Sequence, residues 1–287
     1  MKWEEAPKMK SQRRSQQIGN ILHHAFLICF SLIALFPVVW LISTSLKPDD
    51  QIFLFPPTLI PRPIKWDNYS RMVSYLPFFR FMGNTAYVTV LGVIGNLLSS
   101  SMAAYAFARL EWKGKELLFG ALLGTIMLPS QVTMIPVYMI FNKLGWINTL
   151  KPLWVPAFFG NAFYVFLLRQ FFMTIPVELE EAAKMDGCSF FRVFWQILLP
   201  VVKPALATIA IFSFIAHWNN FMGPLIYVND VDIMTISIGL RLFQETYTGE
   251  WSLMMAASTL ATLPIIIVFF TFQKQFIEGI VMTGMKG

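Results

Sequence analysis

Six long runs without a single Asp, Glu, Lys or Arg dictate what this chain can fold into. They are Ile21–Leu46, Phe81–Ala108, Leu117–Asn142, Pro152–Leu168, Pro204–Asn229 and Trp251–Gln273. A helix needs about 20 apolar residues to cross the hydrocarbon core of a bilayer, and five of the six runs reach that length. The fourth is shorter; it extends to Met173 if Arg169 snorkels to the interface. Phe, Leu, Ile, Ala and Gly fill the runs without the short alternating segments of a transmembrane barrel. The expected fold is an all-α membrane protein of about six transmembrane helices, at about 21–46, 81–108, 117–142, 152–173, 204–229 and 251–273. Composition agrees, because 13% charged against 56% apolar residues cannot give a soluble domain of this size its charged skin.

The net charge of +6 would suit a nucleic-acid binder if the basic residues shared one soluble face, but they sit at the ends of the runs. That placement is a topology signal. With a cytoplasmic N-terminus, 14 of the 22 Lys and Arg fall inside, and the long outer loop 47–80 supplies most of the exceptions. Both termini are therefore expected in the cytoplasm. Residues 1–20 form a polar cytoplasmic segment and 21–287 the membrane domain. The first run is about twice the length of a secretory apolar core and no small-residue cleavage site follows it, so a retained anchor is expected. Cys29, in a span, and Cys188, in a polar loop, suggest neither a disulfide nor a metal site.

One loop is patterned. Residues 176–203 carry Glu178, Glu180, Glu181, Lys184, Asp186 and Arg192, which excludes them from hydrocarbon. Pro176 suits a helix start, Glu180 and Lys184 are spaced as an i,i+4 pair, and Gly187 suits a helix stop. An amphipathic ramp follows, with Phe190, Phe191, Phe194, Trp195 and Leu198 at interface spacing. On the residues alone, this is either a surface anchor or a docking knob whose small Ala182 and Ala183 enter a partner's groove.

Glu181-Ala182-Ala183, then Asp186-Gly187, then Ile197-Leu198-Leu199-Pro200 resembles the EAA loop of ATP-binding-cassette importer permeases. Met185 and Cys188 stand where Ile and Ala are commoner in that family. The resemblance covers nearly the whole chain. Asn84-Thr85, Ala103 to Arg109 and Lys113-Gly114 are similar to the second span of carbohydrate-uptake permeases. Met127-Leu128-Pro129, Ile135-Pro136, Leu144-Gly145 and Asn148-Thr149 are similar to their third span and its turn. Trp218-Asn219-Asn220-Phe221 with Pro224-Leu225 is similar to their fifth, and Gln273 to Phe276, Gly279 and Gly284 to Gly287 to the tail of the maltose-permease type.

The resemblance implies the type I importer permease fold and the smaller, six-span subunit of a heterodimeric permease in a bacterial or archaeal cytoplasmic membrane. Glu181, Ala182, Ala183, Asp186 and Gly187 would form the helix coupled to an ATPase, and Lys286 and Gly287 would lie in a tail touching it. Implied partners are a second permease subunit, a homodimeric or heterodimeric cytoplasmic ATPase, an extracytoplasmic solute-binding protein and membrane lipid, with no nucleic acid. The chain has no GxxxxGK[ST] motif, so no cofactor is expected on it; ATP and Mg belong to the ATPase. The implied function is carbohydrate import by alternating access, without an active site of its own.

Trp218, Asn219 and Asn220 combine an aromatic face with amides, as sugar sites do, and are candidates for the substrate pathway. Asn84, Asn96 and Asn161 either face that pathway or bond across helices, the latter being expected of Asn96; Ser99, Ser100 and Ser101 suit close packing. Pro129, Pro136, Gly223–Pro224 and Pro264 place helix breakers at depth, and Gly120 with Gly124 forms a GxxxG step. His23, His24 and His217 cannot share a metal, and Asp230-Val231-Asp232 reads as a loop turn. The competing function, a membrane glycosyltransferase acting on lipid-linked sugar, needs a charged catalytic cluster that the sequence does not offer. The transported sugar stays open, glycerol phosphate included.

Overall fold

The computed structural model of the protein describes the backbone of residues 5–284 and the side chains of residues 19–274. In chain order its main helices are α1 (Glu5–Ser45), α2 (Asp67–Tyr75), α3 (Phe78–Arg109), α4 (Lys115–Ile126), α5 (Ser130–Lys143), α6 (Lys151–Trp154), α7 (Ala162–Thr174), α8 (Glu178–Met185), α9 (Phe190–Val201), α10 (Lys203–Trp218), α11 (Met222–Tyr227), α12 (Ile236–Thr246) and α13 (Trp251–Gly284). Among the described residues four stretches are long and apolar enough to cross a membrane: Gly19–Ser45, Phe78–Arg109, Lys151–Thr174 and Trp251–Lys274. Two bent pairs, α4 with α5 and α9 with α10, raise the number to six when each pair counts as one span.

The chain divides into two compact units. The smaller comprises residues 1–72 and 249–259. The proline-rich stretch that follows α1 is tied back to the end of that helix. Asn68 Nδ2 donates to the carbonyls of Ser45 (2.9 Å) and Lys47 (3.0 Å), and Tyr69 Oη lies 2.7 Å from Ser45 Oγ. These bonds satisfy carbonyls that a helix end leaves open. Lys47 is fully buried with its Nζ 4.1 Å from the Trp40 ring centroid, and burial lowers its amine pKa below the ordinary value. Ser252 Oγ donates to Asp49 Oδ1 at 2.6 Å in the same unit.

The larger unit, residues 73–248 and 260–287, is organised around α3, which packs chiefly on α7 and α10. Small residues permit this. A β-carbon on Gly92 would lie 2.3 Å from the His217 ring, so α3 and α10 meet where only glycine fits. Asn96 Nδ2 donates to Ser213 Oγ (2.9 Å) across the same interface, the interhelical role expected of it. Ser100 and Ser101 are buried in α3, and Ser99 donates to the carbonyl of Ala157 at 2.8 Å. The main apolar core gathers at the Arg109 end of α3 from Tyr105, Leu168, Phe172, Phe194, Leu198 and Ile209, among others.

Three apolar runs are broken. The third stops at Met127–Leu128, and Pro129 opens α5 at 103° to α4. Pro129 lacks the N–H that a helix start would leave unpaired. Pro136 and Pro264, by contrast, are accommodated inside α5 and α13. The fourth run begins as α6 and a short 3-10 turn (Val155–Phe159), then restarts at Asn161, whose Oδ1 caps the N–H groups of Phe163 and Tyr164. The fifth run was expected as one helix over 204–229. It ends at Trp218 and resumes at Met222, and α10 is preceded by α9 at a 79° bend. The GxxxG step at Gly120 and Gly124 has no described atom within 4 Å of either added β-carbon.

Candidate functional site

The residues expected to couple the chain to an ATPase form a self-capped elbow. α8 is amphipathic over Glu178–Met185 and ends where the sequence predicts. Gly187 has φ +79°, its N–H donates to Lys184 O (3.0 Å), and the Cys188 N–H donates to Ala183 O (3.0 Å). This double bond pattern is the Schellman stop, which requires a left-handed residue at the Gly187 position. Asp186, the last residue before the turn, is exposed. Ser189 then caps α9 by accepting the Arg192 N–H at 3.4 Å.

Burial separates the signature residues into two faces. Glu181 and Ala182 are exposed, whereas Ala183 is buried in the membrane-domain core with Val193, Phe194 and Leu198. Ala182 and Ala183 therefore do not lie on one open surface. The two alanines were expected to enter a partner's groove together; instead the stripe that holds Ala183 is a foundation. Glu180 belongs to it. The expected Glu180–Lys184 pair does not form, since Lys184 lies over the Phe190 ring at 5.2 Å while Glu180 turns inward to Arg109, with Oε1 2.8 Å from Arg109 Nε. The alternative is weak, since the exposed i,i+4 pair would be worth only a few tenths of a kcal/mol. The ramp divides likewise, with Phe194 and Leu198 buried and Phe190 and Phe191 exposed.

Arg109 does more than pair with Glu180. Its Nη2 donates to Phe172 O (2.7 Å) and to Ile175 O at the end of α7. Arg169 answers from α7. Its Nε donates to Phe107 O (3.2 Å) and its guanidinium stacks 4.2 Å above Phe119, so it packs within protein instead of snorkelling. Sequence reasoning passed over both roles; for Arg109 the available signal was a basic residue in the last turn of a helix, where carbonyls are free.

The candidate pathway residues separate at the α10–α11 break. Trp218 is buried, stacked on Phe214 at 5.3 Å, with its indole N–H donated to Ala261 O (3.0 Å). Asn220 Oδ1 accepts the Gly223 N–H (3.0 Å) and so opens α11. Asn219 is exposed and donates to Ile215 O at 3.1 Å. The helix that Asn220 caps lines a cavity of about 250 Å³ with Ser130, Gln131 and Thr133 of α5 and Gly223 and Tyr227 of α11.

At the opposite end of α3, Asn84 Nδ2 donates to Asp232 O (3.0 Å) and Met234 O (2.9 Å), and Arg80 pairs with the Asp232 carboxylate. Asp230 Oδ1 accepts the Asp232 N–H (2.9 Å), the loop-turn role expected of the Asp-Val-Asp sequence. Among the described residues no three His, Cys, Asp or Glu side chains converge as metal ligands. Lys286 and Gly287 lie outside the described residues.

Comparison with known proteins supplies the family. The model of the binding-protein-dependent transport system inner membrane component matches residues 95–281. The probable ABC transporter permease protein YurM of Bacillus subtilis is 35% identical over 96% of this chain and 91% of its own length. The trehalose/maltose transport system permease protein MalG of Thermococcus litoralis is 34% identical over 96% of this chain and 99% of its own length. A crystal structure of a bacterial ABC transporter involved in the import of the acidic polysaccharide alginate contains a chain that superposes with a TM-score of 0.80. It is 26% identical and covers 92% of this chain and 98% of that one. These are transporter membrane components without a catalytic site, which removes the glycosyltransferase alternative. The chain belongs to the family of binding-protein-dependent transport system inner membrane components, the permease subunits of ABC transporters.

Proposed function

We propose that this chain, as one of two permease subunits, imports a carbohydrate across the cytoplasmic membrane by alternating access, with both termini and α8 on the cytoplasmic side. A dimeric ATPase holding ATP and Mg supplies the energy, and an extracytoplasmic solute-binding protein delivers the sugar. The sugar class rests on the trehalose/maltose and alginate assignments of the relatives. The observation that carries the ATPase coupling is the two-faced α8, with Glu181 and Ala182 presented outward on a helix whose other side is anchored. Ala182 leaves room for a close-fitting groove, Glu181 offers a charge-assisted bond to a basic group, and Asp186 and Gly187 shape the edge. Ala183 contributes from beneath by seating the helix, and the Lys286–Gly287 tail adds a second ATPase contact.

For the substrate route, Asn219 supplies an exposed amide, and Trp218 and Asn220 hold the break beside the cavity lined by Gly223 and Tyr227. The test of the coupling role is Ala182→Phe or Glu181→Lys in the assembled transporter. Either should release the ATPase or abolish ATP-driven uptake while the permease stays in the membrane in normal amount. Normal uptake with the ATPase retained would overturn the docking role and leave α8 as a surface anchor.

A further inference from the structure

An eight-residue helix is too short to hold its shape or position unaided in water. α8 nevertheless has to pass a push from a partner to the membrane spans, if its docking role is right; the following rests on that reading. Its backbone connections are a proline-led loop at one end and a glycine turn at the other. What fixes it from the side is Arg109. This residue sits in the last turn of α3, and its guanidinium reaches two other elements at once. Nη2 donates to the carbonyls of Phe172 (2.7 Å) and Ile175, at the end of α7, and Nε lies 2.8 Å from Glu180 Oε1 on α8. Both charged side chains are almost wholly withdrawn from solvent, and the Nε–Oε1 approach is a charge contact rather than an aligned hydrogen bond.

We propose that Arg109 and Glu180 form the strut that makes α8 move as one body with α3 and α7, so that displacement of the docking face becomes displacement of the spans. Arg109 is a positioning residue in this scheme. The planar guanidinium matters because one flat group must serve three oxygens in different directions, which the point charge of a lysine ammonium cannot do. Burial matters because the contact is then neither screened by salt nor exchanged for water. A pair whose only task was stability would be better replaced by well-packed apolar groups; this one joins the ends of two spans to the helix that meets the partner.

The test uses the complete transporter in lipid nanodiscs, with Cys29 and Cys188 replaced by Ser. Spin labels are placed at Met185→Cys and Met102→Cys, both exposed positions in α8 and α3. Pulsed electron resonance reads the distance distribution. The distribution should be narrow and stay so when ATP hydrolysis is trapped with vanadate. Glu180→Gln and Arg109→Lys should each widen it roughly two-fold, because neither retains the three-way contact, while Glu178→Gln, exposed in the first turn of α8, should not. If Glu180→Gln does not assemble, the conservative Arg109→Lys carries the measurement. A distribution as narrow in these variants as in Glu178→Gln would overturn the strut. Ala182→Phe separates the two readings: if it leaves the ATPase bound and uptake normal, docking fails, whereas ATPase release in Ala182→Phe with no widening in Glu180→Gln removes the strut alone.

Discussion

α3 anchors a loop at each end with an arginine, and the two anchors are built differently. At Arg80 the guanidinium and the Asp232 carboxylate are both more than half exposed, and the fixing is done mainly by Asn84, which binds two backbone carbonyls of the loop. Thr85 Oγ1 accepts the Ile236 N–H at 2.8 Å and adds a third tie. At Arg109 the side-chain exposures are 8% and 4%, and the charge pair itself closes the joint. An exposed ion pair is worth about 0–1 kcal/mol, whereas breaking a buried one strands a charge in a poor solvent. One end is therefore a latch that neutral hydrogen bonds could keep closed, and the other a weld that fails if either partner is lost.

The largest effect should come from Arg109→Ala, which leaves Glu180 buried without its counter-charge and frees two carbonyls. A loss of about 3–5 kcal/mol is expected, read as a lower unfolding temperature in detergent; wild-type stability would break the contrast between the two ends. Asn84→Ala should cost about 1–2 kcal/mol through two lost hydrogen bonds, with faster amide exchange confined to residues near 230–236. Gly187→Ala meets no described atom within 4 Å, so its cost is that of a left-handed backbone, roughly 1–2 kcal/mol. It should appear as lost protection at Gly187 and Cys188, and unchanged protection there would show that the Schellman stop contributes little. Arg80→Ala should cost under about 1 kcal/mol and the difference should vanish in high salt. A salt-independent loss would mean that the latch is also a weld.

The apolar runs showed the spans because lipid demands length and the absence of charge, and both are visible in one dimension. Gly187 was legible for a similar reason, since a glycine after an amphipathic helix has one common use. The breaks at Asn219 and Gly160 were less visible, because an amide or glycine inside an apolar run is compatible with a continuous helix until its neighbours are known. The two faces of α8 were misjudged for want of a long-range partner. Nothing local tells Glu180 from Glu181, and only the arrival of Arg109, 71 positions earlier in the numbering, makes one a buried anion and the other a surface group. The Trp218–Asn220 cluster reads as one surface in sequence, yet its three side chains take three separate partners.

The Pro129 break has a consequence for hydration. Restarting a helix inside a span leaves peptide groups of α4's last turn and α5's first turn without helical partners, and hydrocarbon cannot solvate them. Such groups must be wetted or met by another chain, and Ser130, Gln131 and Thr133 at the α5 start line the cavity described above. The bulky Met134, Met222 and Tyr227 line the same cavity beside those polar groups. The break thus sets helix-start polar groups and large side chains side by side in one cavity wall.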